Sequence, residues 1–196
     1  MSRAVRLALP AWTTRELLTA SVIAMAFTVA VVSFTYVYAA VLGLGIFARS
    51  AVTGSFFLPA AFAVYVLRKP GAAFLVSAVS GLAAIPFTPY GLLVLGIGVL
   101  TGIVGELSGF VITRYRRFGI MHVVGFGAFA GIVEFGLVLL SSLRTSTFTA
   151  PVLLAAIGIA VATFVLAALV AVALAHAVRR TGVLINTAFG REEAFA

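Results

Sequence analysis

Residues 151–178 read PVLLAAIGIAVATFVLAALVAVALAHAV, a run without a single Asp, Glu, Lys or Arg, closed by Arg179 and Arg180. A helix needs about 20 apolar residues to cross the hydrocarbon core of a bilayer, so this run is long enough on its own. A strand reading fails, because membrane barrels are built from roughly ten-residue segments that alternate apolar and polar positions. Working back toward the N-terminus, similar runs lie between charged or Gly/Pro-rich breaks at about 17–40, 50–67, 72–85, 92–113 and 119–143. The expected fold is all-α, a polytopic membrane protein of six transmembrane helices forming one domain. Residues 1–14 read as an N-terminal tail, 15–178 as the bundle and 179–196 as a C-terminal tail.

Composition agrees. Of 196 residues, 63% are hydrophobic and 9% charged, against about a quarter charged in ordinary soluble domains. A water-soluble globule is excluded, and the partner medium is membrane lipid. The net charge of +8 does not indicate nucleic acid, because the arginines punctuate apolar runs instead of forming one basic face. The apolar run that follows Arg3, Arg6 and Arg15 exceeds the 7 to 15 residues of a signal-peptide core, so it is expected to remain in the mature protein. With no cysteine there is neither a disulfide framework nor a thiolate site. Phosphate-loop and hydrolase motifs are absent from the sequence, and His122 and His176 stand far apart without an acid cluster. No catalytic residue, metal site or cofactor is expected, and this chain does not hydrolyse ATP by itself.

The basic residues set an orientation. Arg3, Arg6, Arg15, Arg68, Lys69, Arg114, Arg116, Arg117, Arg179, Arg180 and Arg191 fall on one side of a six-span arrangement, and Arg49 and Arg144 on the other. The positive-inside bias places both termini in the cytoplasm and turns the uncharged segment 86–91 outward.

Two acids lie within apolar runs, Glu106 and Glu134. A carboxylate in hydrocarbon costs several kcal/mol, so each requires a partner or a wet cavity. Two readings fit: a ligand pocket that neutralises a cationic substrate, or an internal bond between helices, with Arg49 and Arg144 as candidate partners. Glu134 falls in the outer half of its helix and suits an outward pocket better than Glu106 does. Phe34, Tyr36, Tyr38, Phe87 and Tyr90 lie near the outer side, either as stacking surfaces for a flat heterocycle or as an interfacial belt. Small residues four apart recur, as in Ala20 with Ala24, Ala26 with Ala30, Gly98 with Gly102, Gly105 with Gly109 and Gly127 with Gly131. Such spacing permits close helix approach, within the chain or against a partner.

Three strings are more specific: LRKPGAA at 67–73, GLLVLGIGVLTGIVGE at 91–106 and TGVLIN at 181–186. Over about 15–186 the chain resembles the YkoE family of substrate-binding S components of energy-coupling-factor (ECF) transporters, associated with thiamine and its hydroxymethylpyrimidine precursor. The resemblance implies an importer subunit in a bacterial plasma membrane. It would capture thiamine or a related small heterocycle and work with a transmembrane coupling protein and two cytoplasmic ATPase subunits. It implies acids at Glu106 and near Glu134, and Ala20 with Ala24 as the small-residue face that docks on the coupling protein; with the aromatic candidates, the expected substrate-binding set is Glu134, Glu106, Tyr36, Tyr38, Tyr90 and Thr101. The chain departs from the pattern at Thr101, where a glutamine is expected, across 78–83, where acids are missing, and at Ile185, which precedes Asn186. A stand-alone secondary transporter or channel for a cationic solute is the rival reading; it requires repeat symmetry and broken helices at midplane, which the sequence does not display by eye.

Overall fold

In the computed structural model the described residues are 12–142, 148–180 and 187–189, with backbone alone for 138–142. Arg3, Arg6, Arg144, Arg191 and the pair Ile185 and Asn186 lie outside them. The regular elements among the described residues are all helical, with α-helices in the order α1 Thr14–Val41, α2 Ile46–Thr53, α3 Leu58–Leu67, α4 Ala72–Ala84, α5 Leu93–Ser108, α6 Ile120–Ser142 and α7 Ala150–Arg179. Helices α2 and α3 are joined by a tight helical turn at Gly54–Phe57 and act as one 22-residue crossing, Ile46–Leu67. Five helical runs are then long and apolar enough to cross a membrane, and a shorter one, Ala72–Phe87, completes the set. The chain is a multi-pass membrane protein.

The second crossing, read from the sequence as starting at about Ser50 or a little earlier, starts at Ile46 and passes through the tight turn midway. At this turn, Gly54 lies directly against the backbone of Thr163 and Phe164 on α7. The α3 half is the centre of the bundle: every residue from Pro59 to Leu67 is buried, which explains why its sequence is apolar around the whole helix. Arg68 in the left-handed region (φ 50°) and Gly71 (φ 90°) reverse the chain between α3 and α4.

Helix α1 is fixed to that reversal. Thr13 and Glu16 form a reciprocal cap, satisfying two N-terminal backbone donors. Glu16 also pairs with Lys69 at 2.7 Å, and the Trp12 indole N–H donates to the Pro70 carbonyl at 3.2 Å.

Glycine sets the spacing of the helix pairs. Helix α4 packs most extensively on α5, and α6 on α7. A Cβ at Gly98 would stand 2.5 Å from the Ser77 carbonyl oxygen, and one at Gly102 would stand 2.8 Å from the Phe74 Cα. On α6, a Cβ at Gly127 would approach the Val165 Cα to 2.7 Å, and one at Gly131 the Val161 Cα to 2.9 Å. These small-residue pairs therefore serve contacts within the chain.

The pair Ala20 and Ala24 also packs within the bundle. Both are 0% exposed, and the Ser80 hydroxyl of α4 donates to the Ala24 carbonyl at 2.9 Å. Their small size lets α1 lie against α3 and α4. Ala26, on the opposite side of the helix, is exposed.

Candidate functional site

Thr101, one turn beyond Gly98 on α5, and Glu134 on α6 meet between their helices. The Thr101 hydroxyl donates to Glu134 Oε1 at 2.8 Å. Glu134 is 2% exposed, and its second oxygen, Oε2, has no hydrogen-bond partner among the described residues. A buried carboxyl oxygen without a partner is costly, so this atom is the strongest local sign of a place for a ligand.

Thr101 also lines a cavity of about 10 Å³ together with Val31, Phe56, Ser77, Val94 and Gly98. Phe56 links this cavity to an aromatic cluster at the end of the bundle opposite Arg68 and Arg114. Its ring meets Phe34 edge-on at 6.2 Å and Tyr38 at 6.1 Å, and Tyr38 meets Tyr90 at 6.5 Å. The Tyr38 hydroxyl accepts from both Nε and Nη2 of Arg49, each at 3.2 Å. Thus Arg49, weighed from the sequence as a partner for an acid, directs two donors to a phenol instead. Tyr36 faces outward at 55% exposure, and its hydroxyl donates to the Phe87 carbonyl at 3.2 Å. It ties α1 to the turn before α5.

Glu106 does not join Glu134. It lies about 7.5 Å further along α5 than Thr101, at 1.5 Å rise per residue. Its Oε1 accepts the backbone N–H groups of Ala73 at 2.6 Å and Phe74 at 3.2 Å, and its Oε2 accepts the Tyr115 hydroxyl. These N–H groups belong to the first turn of α4, which lacks a side-chain cap of its own and whose positive dipole end favours an anion. Burial, reinforced by the neighbouring Glu106, raises the Tyr115 phenol well above its ordinary range, so it remains a donor. Of the sequence-derived set, the structure brings together Glu134 and Thr101 directly, with Tyr38 and Tyr90 above them through Phe56. Glu106 and Tyr36 hold helix ends and turns elsewhere.

Sequence reasoning passed over Ser77 and Phe56. A serine within AAFLVSAVSGLAA carries no signal beyond a small residue suited to packing, and Phe56 is one of seventeen phenylalanines.

A family model described as "ABC-type cobalt transport system, permease component" matches residues 15–133, more than half of the chain. The chain belongs to this family of transport permease components. Among solved structures, one described as the crystal structure of an S component of an ECF transporter matches this permease component with a TM-score of 0.84 and 26% identity, covering 94% of each chain. Among curated proteins, a Bacillus subtilis (strain 168) protein named as an HMP/thiamine permease protein, YkoE, is 27% identical over 183 residues, covering 92% of each chain. The permease component described here is therefore an ECF-transporter S component, a membrane subunit that takes a small-molecule substrate and works with an ECF module.

Proposed function

We propose that this S component captures thiamine or a related aminopyrimidine precursor for uptake. The observation that carries the proposal is the buried Glu134 carboxyl, with one oxygen held by Thr101 and the other unpartnered, beneath an aromatic cluster that includes Tyr38 and Tyr90. A carboxylate accepts from an amino group or neutralises a cation, and the phenol rings stack on a flat heterocycle. The name of the Bacillus subtilis relative supports the same ligand class. The substrate-binding set is Glu134 and Thr101, with Tyr38 and Tyr90. Glu106 holds α4, and Tyr36 holds the turn at Phe87.

The arginine-rich end faces the cytoplasm by the positive-inside bias, which turns the aromatic cluster and its site outward in a bacterial plasma membrane. A transmembrane coupling protein and two cytoplasmic ATPase subunits supply ATP hydrolysis, and their cycle reorients the bundle to deliver the substrate inward. The test is equilibrium binding of thiamine and of hydroxymethylpyrimidine to the purified protein, with native mass spectrometry of copurifying small molecules. Saturable binding of either ligand supports the proposal; recovery of a non-heterocyclic ligand with no binding of either overturns it.

A further inference from the structure

Two buried hydroxyls lack a partner among the described residues, Thr88 in the turn before α5 and Ser77, and Ser77 is the one that lies within a helix. Thr28, Thr35, Ser50, Thr53, Ser108 and Thr113 each donate to the carbonyl four residues earlier. Ser80, one turn beyond Ser77 on the same helix, does so too and also reaches Ala24. Ser77 is 3% exposed, yet its hydroxyl has no hydrogen-bond partner among the described residues, although the Ala73 carbonyl lies at the equivalent position. It lines the same cavity as Thr101, and the close approach of Gly98 to the Ser77 carbonyl fixes α4 against α5 at this level.

We propose that Ser77 is a substrate-recognition residue whose hydroxyl donates to an acceptor of the bound molecule, a ring nitrogen of an amino-substituted heterocycle. This rests on the proposed function and names a second contact at the same site. The donor inventory leads to Ser77. Glu134 Oε2 offers an accepting oxygen, and the Thr101 hydroxyl proton is committed to Glu134. A ligand edge that places an amino group beside a ring nitrogen requires one acceptor and one donor from the protein. Glu134, joined to the cavity through its bond to the lining residue Thr101, supplies the acceptor and Ser77 Oγ the donor. At about 10 Å³ the cavity has room for about one water, so seating a pyrimidine ring requires side chains of the aromatic side, Phe56 first, to move apart.

The test compares dissociation constants for thiamine and hydroxymethylpyrimidine in the parent, Ser77→Ala and Glu134→Gln proteins, together with the melting temperature of each without ligand. Removing a neutral buried hydrogen bond weakens binding by roughly 5- to 20-fold. Because the Ser77 hydroxyl is unpartnered without ligand, Ser77→Ala is expected to leave the ligand-free melting temperature unchanged or raise it. A ligand analogue with the ring nitrogen replaced by C–H is expected to bind the parent and Ser77→Ala proteins equally. Unchanged affinity in Ser77→Ala while Glu134→Gln weakens binding overturns this inference alone, as does a fall in affinity accompanied by a lower ligand-free melting temperature. Failure of the parent to bind either ligand overturns the proposed function and this inference with it.

Discussion

The hydroxyl of Thr101 on α5 donates to one carboxyl oxygen of Glu134 on α6 at 2.8 Å, and the other oxygen is buried without a partner. The pair orients the carboxyl while leaving half of its accepting capacity open. Thr101→Val removes the orienting donor and keeps the shape. Equilibrium binding is expected to show roughly a 5- to 20-fold loss of affinity for thiamine or hydroxymethylpyrimidine, with the protein still folded.

Glu106 is expected to behave differently from Glu134. Its carboxylate caps the first turn of α4 through Ala73 and Phe74. Glu106→Gln replaces charge-assisted bonds with weaker ones and is expected to cost about 1–2 kcal/mol of stability. Thermal unfolding in detergent should show a lower midpoint, while substrate affinity at a temperature where the variant is folded should change little.

The glycines of α5 give a paired contrast. Gly98→Ala places a Cβ 2.5 Å from the Ser77 carbonyl, whereas a Cβ at Gly96 meets nothing within 4 Å. Overpacking of a fixed backbone contact costs about 1–3 kcal/mol, so Gly98→Ala is expected to lower the melting temperature. Gly96→Ala is expected to leave it unchanged or raise it slightly, since alanine favours helix more than glycine does.

The alanines of α1 separate internal packing from partner docking. Ala24 is fully buried and Ala26 exposed. Ala24→Leu is expected to destabilise the isolated protein by about 1–3 kcal/mol, read as a lower unfolding midpoint, and Ala26→Leu is expected to leave that midpoint in place.

The crossings were legible in the sequence because lipid admits few solutions: a backbone that must satisfy its own polar groups forms helices, and charges gather at their ends. The 151–178 run and its arginine stop coincide with α7 to within a residue at each end. The turn inside the second crossing was not legible, because Gly54 owes its place to the α7 backbone at Thr163, more than a hundred residues away. The spacing of Ala20 and Ala24 signals that something packs closely but does not say whether it is α4 or another protein. The sequence set Glu106 at a different depth from Glu134 but not its contacts, because its partners include backbone N–H groups of Ala73 and Phe74, which leave no mark in residue type. Ser77 was invisible for the opposite reason: what distinguishes it is a bond it does not make.

The most direct test of the central claim is isothermal titration of thiamine and hydroxymethylpyrimidine into the parent protein and into Glu134→Gln. Loss of a charged hydrogen-bond partner corresponds to roughly 10- to 100-fold in affinity. The account predicts saturable binding by the parent and a loss of that size in the variant; equal affinity in the two proteins would contradict it.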